Sequence, residues 1–412
     1  MAAPQTLDIL SRYLADAFDE HQIINEPTAF QAFFGRPETM SFTHFSPNAN
    51  DLDIEITRAD EKLAALVPRG ALGKFIGTNH QTVQVGQSTF FSRKYPLTEE
   101  EAPITAEMLN NRLIPGEGAY EGLDRTVRLR RYAERAYMEL IRREIRLQEY
   151  LAMQSVTLGK QSAQAIGTPG ANDYDWRRSS SNTVTPSHGW GNASGVPLTD
   201  LDAICLQLRG QGHVNPDMAI FGATTLNYFL SNAVIQGGTV NYAGGYASHI
   251  YWDFVQFNMN FKPDAKFDRF VKGGLVPVGK LRTPGGFELT IFVYPQGYTA
   301  ANGTFTKYLG DTLAVVCSSQ ARADRYFGPP ERLPLTSSDQ QRLMERFGFN
   351  PMLPPIPKND WADDGVIVPQ MFYVDAYDDD KSKVTTIRIQ SAPVFPTVQT
   401  DAFATLTVGT TS

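Results

Sequence analysis

The residues able to do chemistry in this chain are few and scattered. Its six histidines (His21, His44, His80, His188, His213 and His249) are dispersed, and none stands at the spacing of a metal site. Cys205 and Cys317 are the only cysteines; they lie in the apolar settings AICLQL and AVVCSS, with no basic neighbour to make a thiolate. They read as buried, reduced, structural thiols, which suits a reducing cytoplasm. Four aspartates crowd into DAYDDDK (375–381), but without the ligand spacing of a calcium loop, so the segment reads as a solvated turn. EEE at 99–101 reads likewise as a solvated charge run. There is no G-x-S-x-G, no Walker loop and no dinucleotide fingerprint, and no carboxylate pair stands out among 44 acids. These observations point to no enzyme, no cofactor and no metal.

One concentration of charge does stand out. From Arg125 to Arg146 there are eight arginines against three glutamates, in a chain with 37 basic and 44 acidic residues and a net charge of -7. An acidic chain does not coat nucleic acid by bulk charge, so any contact with DNA has to be local. Pairs such as Arg130–Glu134 and Arg135–Glu139 contribute only a few tenths of a kcal/mol each, roughly. Three glutamates cannot neutralise eight arginines, so part of the stripe seeks acids on another surface, or phosphates.

The element that must carry this charge is a helix over 123–158, preceded by Gly122 and stopped by Gly159, with no internal Pro or Gly. Leu129, Ala133, Ala136, Leu140, Leu147 and Leu151 fall on one face; Arg128, Arg131, Arg135, Arg142 and Arg146 fall on another. The apolar stripe docks the helix and leaves the arginines facing outward. Before it, residues 5–20 read as a short amphipathic helix, 23–40 as an irregular Phe-rich stretch, and 52–56 and 65–70 as strands. Residues 76–105 alternate like a two-stranded ribbon with polar flanks, which is marginal alone in water and must lean on something else.

Residues 160–197 read as a long loop. A compact α/β pattern follows: a helix through Leu208 with Thr199 and Asp202 at capping-box spacing, ended by Gly210 and Gly212; a buried strand at 218–222; and a helix over TTLNYFLSN. After an aromatic-rich insertion to about 272 come a hairpin around TPGG (283–286), a strand at 313–317, a Pro-rich stretch at 329–365 with a short helix, and strands at 384–390 and 402–408. With 42% hydrophobic and 20% charged residues the composition is that of a folded soluble protein. No run approaches the roughly eighteen apolar residues of a membrane span, and the N-terminus lacks the features of a signal peptide. No internal repeat is found.

SSQARADRYFG (318–328) and IRIQSAPVFP (387–396), followed by a closing strand ending in TLTV, resemble the C-terminal half of the lambda-type major capsid proteins, the protein E family. The long basic helix, ALVPRG and TAFQAFFGRPETM have similar counterparts there. The resemblance implies an α+β chain with the Hong Kong 97-type capsid fold. On that map 1–60 is an N-arm with the first strand and 61–108 an extended E-loop hairpin. Residues 109–197 are a P-domain with spine helix 123–158, and 198–312 an α/β A-domain. Residues 313–412 hold the return strands (313–317, 384–390 and 402–408) that complete the P-domain sheet.

The resemblance further implies a major capsid protein whose copies, as hexamers and pentamers, form an icosahedral phage head. Its expected partners are a decoration protein, a separate scaffolding protein, a portal and double-stranded DNA on the inner face, with no membrane. Its expected place is the virion, after assembly in the host cytoplasm. Inter-subunit contacts are expected from Arg93, Lys94, Arg128, Arg131, Arg135, Arg142, Arg146, Gln320 and Arg322. Lys94 is not expected to crosslink, and a chain starting at Met1 carries no expectation of a large N-terminal cleavage. Two other readings stay open: an encapsulin-like compartment holding cargo protein, and a hydrolase on a β-rich scaffold.

Overall fold

The computed structural model describes residues 26–36, 41–45, 53–57, 80–84, 98–104, 125–162, 174–232, 235, 250–251, 262–300, 302–328, 373–379 and 384–409. The expected helices at 5–20 and within 329–365, and the strand at 65–70, lie outside them. The main sheet has seven strands, in spatial order β7 (Thr183–Val184), β19 (Phe403–Thr407), β14 (Leu313–Cys317), β8 (Met218–Phe221), β11 (Glu288–Val293), β10 (Val276–Arg282) and β9 (Ile250–Tyr251). Strand β14 runs antiparallel to both its neighbours, whereas β8 and β11 are parallel.

The two faces of this sheet follow the alternation of side chains along each strand. Val315 and Cys317 of β14, Met218 and Ile220 of β8, Phe292 of β11 and Phe403 of β19 enter one core. Ala314 and Val316, Ala219 and Phe221, Leu289 and Ile291, and Ala404 and Leu406 enter the other. Helix α1 (Arg125–Leu158) and the Phe-rich N-terminal segment cover the first face. Helices α2 (Pro197–Gln211) and α3 (Ala223–Ser231) cover the second.

With 34 residues, α1 is about 50 Å long. Every side chain from Leu151 to Thr157 is buried, so its last two turns run through the interior. The polar groups there find partners: Thr157 Oγ1 donates to Met153 O, Ser155 Oγ accepts from Trp176 Nε1, and Gln154 accepts from Ser162 N. The helix ends at Gly159, whose φ of 65° suits the left-handed stop. The Arg178 side chain donates to the orphan carbonyls of Val156 and Thr157. Burial pulls that guanidinium down to about 10, against the opposing pull of Asp401.

Four expectations are corrected. The strands at 80–84 and 98–104 do not pair with each other: β3 (His80–Gln84) pairs with β2 (Asp53–Thr57), and β4 (Thr98–Ile104) with β17 (Val384–Ser391). Alternation sets a strand's faces but not its partner. DAYDDDK is strand and not turn over its described residues, since β16 (Tyr373–Asp379) takes the first five and runs beside β17. The register sets Arg388 of β17 between Asp375 and Glu101, so the two acidic runs flank a buried arginine. The three return strands do not share a sheet: β14 and β19 sit inside the main one, and β17 lies between β16 and β4. Finally α2 starts at Pro197 rather than at a Thr199 cap. Proline has no N–H to leave unsatisfied in the first turn, and Asp202 instead accepts a bond from Gly285 N, 2.8 Å away.

Candidate functional site: the groove that holds the N-terminal segment

The described polar groups converge where residues 26–36 and 41–45 cross α1 and meet the two motifs near the C-terminus. Three phenylalanines anchor the crossing. Phe30 meets Tyr294 edge-on at 5.3 Å, Phe33 lies 4.6 Å from Phe270 and 5.5 Å from Phe403, and Phe34 lies 5.3 Å from Phe395. All three are buried, each contributing about 1.5–3 kcal/mol relative to exposure. A short 3-10 turn, Gln31–Phe33, starts between them.

That turn has no side-chain cap of its own, and α1 supplies the acceptor. The Glu149 carboxylate accepts from Phe30 N at 2.7 Å, Gln31 N at 3.1 Å and Tyr294 Oη at 2.8 Å. Gln31 Nε2 donates back to Ile145 O. One buried side chain thereby joins the N-terminal segment, the long helix and the end of β11. Loss of hydration pushes the Glu149 carboxyl up to about 7 against the lowering effect of its three donors. The same burial, with Glu149 beside it, pushes the Tyr294 hydroxyl well above its ordinary range. Tyr308 stacks on Tyr294 with ring centroids 6.0 Å apart, and its buried hydroxyl has no hydrogen-bond partner among the described residues.

Further along, Arg36 is buried and spans the gap to the Q-A-R motif. Its Nε donates to Phe33 O, Nη1 to Ser319 O and Nη2 to Ala321 O. Beyond it, β1 (Thr43–Phe45) runs parallel to β15 (Arg325–Phe327), which pairs on its other side with β18 (Pro393–Val394). Asp324 accepts from Phe42 N at 2.9 Å and from Arg322 Nη2 at 3.2 Å, and lies 3.2 Å from His44 Nε2. Burial alone would raise the Asp324 carboxyl; these three partners outweigh it and hold it below its ordinary value. Arg322 N donates to Gln399 Oε1, and Gln399 N to Arg322 O. Through β15 and β18, with Asp324 N donating to Pro396 O and Gly328 N to Ala392 O, the two motifs SSQARADRYFG and IRIQSAPVFP are in contact, and the first is the bracket on which the N-terminal segment hangs.

The expected contact residues divide into two places. Arg146 donates to both oxygens of Glu26, at 2.8 and 3.1 Å, and Arg142 lies 3.9 Å from the same carboxylate. The acid these two meet thus comes from the N-terminal segment of the same chain. Arg135 is exposed, and Arg128 and Arg131 lie on α1 with side chains outside the described residues. Gln320 and Arg322 belong to the bracket, with Gln320 exposed and Arg322 5.8 Å over the Phe42 ring. Arg93 and Lys94 lie outside the described residues.

The sequence reading missed Glu26, Arg36, Glu149 and Asp324. For Glu149 there was a signal: Ile145, Ala152 and Met153 stand at i-4, i+3 and i+4, leaving one acid inside an apolar stretch. Among the described residues, no group of three or more His, Cys, Asp or Glu could hold a metal ion, and no helix is long and apolar enough to cross a membrane.

The fold is that of Hong Kong 97-type capsid subunits. A crystal structure described as a prophage capsid protein from E. coli CFT073 superposes with a TM-score of 0.57 at 14% identity, covering 97% of this chain and 99% of that one. A phage-related protein from Bordetella bronchiseptica RB50 is a weaker likeness, with a TM-score of 0.44 at 10% identity over 97% of this chain and 96% of that one. Residues 46–250 match the family model of phage major capsid protein E. The chain is a capsid-type protein of the Hong Kong 97 lineage. No curated protein sequence matches it.

Proposed function

We propose that this chain is the major capsid protein of a tailed-phage head, a subunit whose copies close into an icosahedral shell around packaged double-stranded DNA. The observation that carries the reading is the family match over residues 46–250, set on a fold shared with a prophage capsid protein along nearly the whole chain. Hexamers and pentamers are the rings such a shell needs. On this reading the N-terminal arm and the E-loop, apart from the stretches 26–36, 41–45 and 98–104 that pack within their own chain, reach neighbouring subunits, and 109–197, 198–312 and 313–412 form the body. Decoration, scaffolding and portal proteins are its partners, the virion is its location, and it has no catalytic role.

The arginines of α1 enter this reading in two roles. Arg142 and Arg146 also hold the chain's own N-terminal segment through Glu26, and Arg135, exposed but with an interaction of its own, joins Arg128 and Arg131 as a contact to neighbouring carboxylates or DNA. Electron microscopy of the purified protein tests the whole reading. Closed shells are expected, with nuclease-protected double-stranded DNA in particles from the native source. A monodisperse monomer or small oligomer under all assembly conditions refutes it, and particles filled with protein cargo and free of nucleic acid refute its phage part.

A further inference from the structure

Residues 26–31 lie across α1 as a strap, and the groove beside them is shaped for bare backbone. Gly273 closes the short helix Asp268–Lys272 with an ordinary φ of -75°, so its turn does not demand a glycine. A Cβ there would lie 2.8 Å from both N and Cα of Ala29, and the missing side chain makes room for the strap. At Gly274 a Cβ would come within 3.2 Å of Pro27 Cβ. Past the strap, Phe33 and Phe34 fix the chain in the core and Arg36 ties it to the Q-A-R motif. Of the three phenylalanine anchors only Phe30 belongs to the strap itself.

Glu149 holds the strap from α1. Its buried carboxylate bonds neutral donors alone among the described residues: the N–H groups of Phe30 and Gln31 and the Tyr294 hydroxyl. The charged and titratable groups around it are engaged elsewhere. On its own helix Arg146 donates to Glu26 of the strap and lies 3.7 Å from Glu139, while Tyr150 meets the Tyr298 ring at 5.4 Å. Tyr294, just past β11, and Tyr308, stacked on it, are both kept neutral by burial. A neutral Glu149 keeps the same neighbours, since Oε1 can donate to Tyr294 Oη while Oε2 still accepts from Gln31 N. An ionised Glu149 is a charge without a counter-charge in a dry groove, and lifting the strap returns it to water.

We propose that residues 26–31 are a pH-set strap, seated on α1 while Glu149 carries its proton and lifted about the turn Gln31–Phe33 once the acid is ionised. The inference goes beyond the shell reading and does not depend on it. Lifting exposes Phe30 and leaves Phe33, Phe34 and Arg36 in place. It also takes Glu26 away from Arg146 and Arg142, so the position of the strap and the positive charge that α1 presents change together. The seated acid titrates at about 7 and a hydrated glutamate at 4.5. The lifted fraction therefore rises with pH between those values and levels off above the upper one.

Hydrogen–deuterium exchange of the full-length protein, corrected for the intrinsic pH dependence of amide exchange, tests this with β14 as the internal reference. Protection of residues 26–31 should fall about thirtyfold from about pH 5.5 to about pH 8.5 and level off above about pH 7. At both ends the strap amides should exchange about tenfold faster than those of β14, or more, because the strap opens without unfolding the sheet. Glu149→Gln should abolish the pH step. Tyr294→Phe keeps the ring but removes one donor to the ionised acid, so the step should continue to a higher pH before it levels off. Protection of the strap that does not change with pH overturns the proposal. So does a step that survives in Glu149→Gln or levels off at the same pH in Tyr294→Phe, and so do strap amides that exchange no faster than those of β14. Absence of particles bears on the shell reading alone.

Discussion

Glu149 makes the stability of the folded subunit depend on pH in a direction opposite to that of a salt-bridged acid. Its carboxyl titrates near 7 in the folded chain because it is cut off from water, against 4.5 for an unperturbed glutamate. Between those values the folded state binds a proton that the unfolded state has released, so stability falls as pH rises. The contribution is fully present below about pH 4.5 and gone above about pH 7. Over the full window the difference of 2.5 (7 minus 4.5) corresponds to roughly 3 kcal/mol at about 1.4 kcal/mol per pH unit. From about pH 5.5 to about pH 8.5 the same linkage gives a loss of about 2 kcal/mol. Urea unfolding of the unassembled subunit at those two values measures it, with Glu149→Gln as the comparison. Glutamine cannot titrate, so the variant should lack this 2 kcal/mol slope. It should also be about 1 kcal/mol less stable at low pH, since its amide group cannot accept from both Phe30 N and Gln31 N. Identical pH slopes in the two proteins would refute the assignment of Glu149 as the group that titrates.

Phe33→Ala empties the contact between Phe270 and Phe403 and should cost about 3–5 kcal/mol, read as a drop in unfolding midpoint and as faster proteolysis of the N-terminal segment. Arg36→Met takes a donor from three buried carbonyls, of which Ser319 O keeps Arg269 Nη2, and should cost about 2 kcal/mol or more in the same assay. Gly35→Ala should cost about 1–3 kcal/mol. Its φ is 65°, and the new Cβ would lie 2.5 Å from Arg325 Nε and 2.7 Å from Thr43 Oγ1, a hydrogen-bonded pair that joins β1 to β15. Replacing Arg135 by Gln should weaken the salt dependence of particle assembly without lowering subunit stability; an unchanged salt dependence assigns the assembly charge elsewhere.

Local pattern settled most of the helices and strands, though not β16, which read as a turn. The long helix over Arg125–Leu158, the strands at Met218–Phe221, Leu313–Cys317 and Phe403–Thr407, and the hairpin around 283–286 all follow from periodicity, glycine stops and turn residues. Partners were another matter. The alternation of β3 and β4 made them look like two halves of one ribbon, yet each found a complementary strand elsewhere in the chain. The acidic β4 and β16 took the two sides of Arg388, a choice that no local signal in either strand announced.

The sequence by itself therefore determined the elements, the two short motifs that mark the lineage, and the surplus of positive charge on one helix. Only the tertiary structure decided that Arg146 and Arg142 meet Glu26, 120 and 116 residues (146 minus 26 and 142 minus 26) away along the chain, and that Glu149 and Arg36 hold the N-terminal segment in its groove. Secondary structure depends on neighbours a few residues apart, which a linear pattern records. An ion pair or a buried acceptor depends on which distant backbone groups the packed core leaves without a partner, and the linear pattern does not hold that information.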